Sequence, residues 1–189
     1  MSCRTSPVIV NKKIIDTESE PMLIGRVTRD ALTEPEFNDW YSREYDSYVP
    51  DPKIIKNLKG KVRLYTIEVF FGTWCSDTQE QLPRFLKILD EVKYPEKYLK
   101  LYAVNKNKES FYGEQGQKAI TNIPTFIVYK TVRNERRGHR EVGRIVETPK
   151  GTLESELYRI ITGKKFNEET KKIKKKKNRP SGKKRTEDS

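Results

Sequence analysis

The chain has 189 residues, 34% hydrophobic and 35% charged, enough for one domain with a modest core and polar extensions. No run approaches the ~18 apolar residues of a membrane span, and two cysteines and one histidine exclude a disulfide-stapled scaffold, a Cys-rich zinc site and a His-based metal cluster. The net charge of +12 raises nucleic acid or another polyanion as a partner.

Residues 1–20 hold one short apolar stretch, Pro7-Val8-Ile9-Val10, and read as a flexible arm with at most an edge strand. No charged start followed by an apolar segment is present, so the sequence as it stands predicts a cytoplasmic protein. Met1-Ser2-Cys3 followed by polar residues also looks like the end of a bacterial lipoprotein signal. Were the true start upstream, Cys3 would carry a lipid and the protein would be periplasmic and lipid-anchored.

A globular pattern begins at Met22, and Leu23 to Val27 suits a strand. Phe37, Trp40, Tyr41, Tyr45 and Tyr48 then recur at helical spacing, an aromatic stripe that suits a core-facing helix ended by Pro50 and Pro52. A short helix over Lys53 to Leu58 leads to Gly60. The apolar run Leu64 to Phe71 predicts a buried central strand. Gly72-Thr73-Trp74-Cys75-Ser76-Asp77-Thr78 follows, then a helix carrying Leu82, Phe85, Leu86 and Leu89 on one face, with Ser76 and Asp77 supplying cap and first-turn chemistry. Tyr98 to Val104 is a further strand. A polar, partly helical crossing reaches Asn122-Ile123-Pro124. Thr125 to Tyr129 and Glu141 to Val146 are two more strands, and Leu153, Leu157, Ile160 and Ile161 form the inner face of a last helix. This order is that of an α/β sheet with helices on both faces.

From Gly163 to Ser189 there are twelve Lys or Arg against four Asp or Glu, so most of the excess charge belongs to this stretch. It has too few apolar residues to order itself and reads as a disordered Lys-rich tail. It offers weak contact with a polyanion or an anionic membrane surface, lost steeply with salt. Only Phe166 interleaves with the basic residues, so base stacking by the tail is not supported. His139, in Arg136-Arg137-Gly138-His139-Arg140, falls in a predicted hairpin tip.

Residues 21–162 resemble the thioredoxin family. The resemblance rests on Trp74-Cys75 at the end of a hydrophobic strand, Pro83 eight residues after Cys75, Ile123-Pro124-Thr125 and Val142-Gly143, in that order. It implies a thioredoxin fold, α/β, with a central mixed β-sheet flanked by helices on both faces. It implies a kink proline at Pro83 and a cis-proline loop at Ile123-Pro124. It further implies that Trp74, Ile123, Pro124, Val142 and Gly143 line a groove for an extended client peptide, held beside the cysteine by β-augmentation. Two parts of the family's dithiol machinery are missing. The motif Trp-Cys-x-x-Cys reads Trp74-Cys75-Ser76-Asp77-Thr78 here, so Thr78 stands where the resolving cysteine would be. The family's buried aspartate is Val69, with Glu68 beside it on the opposite side of the pleat.

A cysteine at a helix start faces free backbone N–H groups and the positive end of the helix dipole, which favour the reactive thiolate, while Asp77 works against it. Cys75 is therefore the candidate nucleophile. Thr78 cannot form a disulfide but has a hydroxyl to offer the Cys75 sulfur. A mixed disulfide on Cys75 would need an outside thiol to release it, Cys3 being the intramolecular alternative.

The reading is a monothiol thiol–disulfide oxidoreductase, monomeric, without a resident cofactor or metal, using an external thiol reductant on a disulfide-bearing client or a small thiol. Two others compete. One is a non-catalytic thioredoxin-fold module that holds a partner peptide beside the cis-proline loop. The other is a tethering protein whose tail, or lipidated Cys3, places the domain on a surface.

Overall fold

The computed structural model of the chain describes residues 8–16, 20–116, 118–131 and 139–166. The Lys-rich tail beyond Phe166, Cys3 and residues 136–138 of the predicted hairpin tip lie outside them, while His139 and Arg140 of that predicted tip belong instead to a strand. Six strands form one mixed sheet: β1 (Lys12–Ile15), β2 (Pro21–Val27), β3 (Tyr65–Phe71), β4 (Leu99–Ala103), β5 (Thr125–Thr131) and β6 (His139–Val146). The strand order is β1-β2-β4-β3-β5-β6, with β3 and β4 parallel and every other pair antiparallel. Four helices accompany it: α1 (Pro35–Ser47), α2 (Pro52–Leu58), α3 (Ser76–Glu91) and α4 (Leu153–Thr162). The α/β class and the order of elements agree with the sequence reading.

β3 is the central strand, and every one of its residues is buried. Its pleat divides the molecule. Tyr65, Ile67, Val69 and Phe71 point into a large core that takes the apolar faces of all four helices, including Phe37, Trp40 and Tyr41 of α1 and Leu153 and Leu157 of α4. α1 packs on α3, α3 on α4 and α4 on α2. The helices thus form a single layer, and the expectation of helices on both faces is not met. The opposite face carries a smaller cluster of Phe70, Val104, Ile123, Ile127 and Tyr129, with Ile120 against it. The predicted crossing helix is absent among the described residues of 105–124; this polar connection covers the second face as irregular chain.

Local chemistry explains the element ends. Pro52 starts α2 rather than ending α1, because proline suits the first helical position, and the Asp51 carboxylate caps it by accepting from Lys53 N–H at 2.7 Å. Thr152 and Ser155 form a reciprocal capping box at the start of α4, and Gly163 ends it in the left-handed region. The N-terminal edge strand lies at Lys12–Ile15, not at Val8–Val10, so part of the stretch assigned to the arm belongs to the sheet. Phe166 packs edge-on to Tyr158 and against the main core, so the domain extends past residue 162. Among the described residues no helix is long and apolar enough to cross a membrane.

Candidate functional site

The parallel unit β3-α3-β4 delivers residues 72–75 to the C-terminal end of β3, where they turn into α3. This turn is held from several sides. The Thr73 hydroxyl accepts from Leu23 N–H of β2 at 3.3 Å, and the Gln79 side chain donates to the Thr73 carbonyl at 2.9 Å. The Trp74 indole N–H donates to the Val104 carbonyl at 3.0 Å, just beyond β4. Cys75 N–H closes the turn on the Gly72 carbonyl at 3.0 Å. Gly72 is required by space, since a Cβ there would lie 2.6 Å from the Trp74 indole nitrogen and 2.8 Å from Ile123 Cδ1.

Cys75 is itself the N-cap of α3, with extended backbone (φ −92°, ψ 124°); its carbonyl accepts from Gln79 N–H at 3.0 Å. The cap assigned to Ser76 therefore falls one residue earlier, while Asp77 is in the first turn as expected. The Cys75 thiol is free and partly exposed. It donates to the Ile123 carbonyl at 3.7 Å, the residue ahead of a cis Ile123–Pro124 peptide bond. Trp74 and Cys75 both pack against the cluster containing Ile123. Pro83 sits inside α3, buried.

Thr78 is fully buried, and its hydroxyl accepts from Gly72 N–H at 3.4 Å. The hydrogen bond to the Cys75 sulfur is not formed; Thr78 braces the turn instead. Val142 and Gly143 are also placed elsewhere. Gly143 pairs with Val128 in the middle of β6, and a Cβ on it would lie 3.0 Å from Ile160 of α4. Val142 is the extra residue at a bulge and packs against the helical core. The segment meeting the proline loop is four residues further on, where Glu147 N–H donates to the Pro124 carbonyl at 2.7 Å. The structure thus brings Trp74, Cys75, Ile123 and Pro124 together, puts Thr78 beneath them, and removes Val142 and Gly143. Sequence reasoning missed Gly72, Thr73 and Gln79. A glycine directly after a buried strand was the available signal for the first, while the other two depend on tertiary contacts.

On the second face, below Phe70, Glu68 is buried between two lysines, with Lys118 Nζ at 2.8 Å and Lys100 Nζ at 3.2 Å. Lys118 also donates to the Tyr129 hydroxyl at 3.1 Å. Burial pushes the Glu68 carboxyl up, but Lys118 and Lys100 outweigh it and hold the group below the ordinary carboxylate value. Val69 faces the helical core, so the carboxylate lies on the other side of the sheet, as the pleat predicts.

No family model matches the chain, and no curated protein matches it. Two solved structures are similar to it. One is a protein of unknown function from Pseudomonas aeruginosa, 19% identical, covering 61% of this chain and 63% of that one at a TM-score of 0.40. The other is an HIV epitope scaffold, 17% identical, covering 67% of this chain and 82% of the scaffold at a TM-score of 0.45. The chain thus spans less than two thirds of the Pseudomonas protein's length.

Proposed function

We propose that this is a thioredoxin-like protein that exchanges thiols and disulfides through Cys75 alone. The observation that supports this most is the partly exposed Cys75 sulfur at the start of α3, 3.7 Å from the Ile123 carbonyl that precedes the cis-proline. A deeply packed structural cysteine has no such access. Pro83 within α3 and the mixed sheet fit the same family. The single helical layer and the placement of Gly143 depart from the sequence expectation, and neither touches the sulfur.

In the proposed cycle the Cys75 thiolate attacks one sulfur of a client disulfide. A Cys75–client disulfide forms, the client's S–S bond breaks, and the departing sulfur leaves as a thiolate that takes a proton from water. Thr78 has no sulfur to attack this intermediate. A thiolate from a small external thiol attacks the client sulfur instead, forming an external thiol–client disulfide and returning Cys75 as thiolate. Each step exchanges one S–S bond for another, so no further oxidant enters.

The test uses a Cys3→Ser chain so that one sulfur remains. Mixing it with a peptide carrying a small-thiol mixed disulfide, then quenching with acid, is expected to give a mass adduct on Cys75 that excess small thiol removes. A Cys75 that stays unmodified while the fold is intact would favour the non-catalytic peptide-holding reading.

A further inference from the structure

A groove lies at the other end of the sheet, near the start of β3, separated from Cys75 by the strand's seven residues, roughly 20 Å. It has a volume of about 560 Å³, the size range of small-ligand sites. Arg63, Lys97, Lys100, Lys130 and His139 line it, drawn from five separate strands and turns, and no acidic residue among the described residues does. Lys100 is paired with Glu68 at 3.2 Å, a carboxylate it shares with Lys118. Arg63, Lys97 and Lys130 have no carboxylate partner among the described residues. Glu141, on the strand beside β5, holds Arg144 at 2.7 Å, and Glu96 lines a neighbouring groove that Lys97 also borders.

Two apolar surfaces lie among these cations. Leu64 is 66% exposed and Tyr98 38% exposed, with Lys97 Nζ 5.0 Å from the Tyr98 ring centre. Arg63 donates to the Lys93 carbonyl at 3.1 Å and Lys97 lies over the Tyr98 ring, so what these cations lack is an anion, and that alone would suit any polyanion. Cations beside a partly exposed aromatic ring suit a ligand with both phosphates and a flat base, and such stacking tolerates any base. We infer that this groove binds single-stranded nucleic acid, with backbone phosphates on Arg63, Lys97 and Lys130 and a base against Tyr98 and Leu64.

The test is fluorescence anisotropy of a labelled single-stranded 12-mer, DNA and RNA, with the full chain at low and moderate salt. The Lys97→Glu/Lys130→Glu chain is compared with a Lys56→Glu/Lys59→Glu chain, which carries the same charge change on the surface by α2. Expected are a loss of at least ten-fold for the first pair, less than two-fold for the second, and a several-fold loss for Tyr98→Ala. Lys97→Gln/Lys130→Gln, read beside its melting curve, guards against misfolding. Equal losses for the two reversal pairs would mean general charge attraction and overturn the inference. Binding of poly-glutamate with the same mutant pattern would also overturn it, as would ATP binding as tightly as the strand.

Discussion

Gly72 shows how the site depends on one missing atom. Any Cβ would push into both the Trp74 ring and Ile123, and the ring is fixed by its hydrogen bond to the Val104 carbonyl at 3.0 Å. Gly72→Ala is expected to cost about 1–3 kcal/mol, the usual scale of overpacking, and to shift Trp74 fluorescence as the ring moves toward water. Unchanged stability with unchanged emission would show that the turn has slack. Glu68 makes a second claim at this scale, one that depends on pH. Its folded-state pKa is depressed, so its contribution is present above the unfolded value of about 4.3 and is lost as pH falls through the folded one. Glu68→Gln should therefore cost about 1–2 kcal/mol near pH 7, because it leaves Lys118 and Lys100 without their anion. In denaturant titrations that difference should shrink below about pH 4. A difference that stays constant from pH 7 to 3 would refute the pairing.

At the scale of elements, the buried strands and long helices were legible because their periodicities leave little choice. β3 and the stripes of α1, α3 and α4 fall where the apolar spacing puts them. What was not legible is which face a helix covers. Amphipathicity says that one side is buried, and only tertiary packing says against what; hence the single helical layer. The Val142-Gly143 pair failed for a related reason. A glycine inside a strand marks a bulge or a close approach as readily as a groove, and here it is both a bulge neighbour and the place where Ile160 of α4 comes closest. Gly143→Val is expected to lower stability by about 1–2 kcal/mol through that contact while leaving adduct formation on Cys75 unchanged. A Gly143→Val chain that keeps its stability but no longer accepts the adduct would return this residue to the site.

At the scale of the molecule, the domain boundary and the redox reading are both open to measurement. Phe166 packs against Tyr158 with ring centres 5.3 Å apart, so the domain includes it. Removing residues 167–189 should leave the melting temperature within about 1 °C, whereas removing 164–189 should lower it by about 2–4 °C, the equivalent of about 1 kcal/mol for an edge-on aromatic pair. Equal effects of the two truncations would contradict this boundary. The Cys75 site was legible from the Trp74-Cys75 and Ile123-Pro124 pairs, whereas the role of Thr78 was not, because its hydroxyl had two backbone and sulfur partners within sequence reach and the fold chose Gly72.

The most direct measurement follows the steady-state release of small thiol from a mixed-disulfide peptide as external thiol is varied, for the wild-type chain and Cys75→Ser. The account predicts multiple turnovers by the wild type only when external thiol is present, at a rate that rises with its concentration, and none above background by Cys75→Ser. Sustained turnover without external thiol, or equal rates for the two chains, would contradict it.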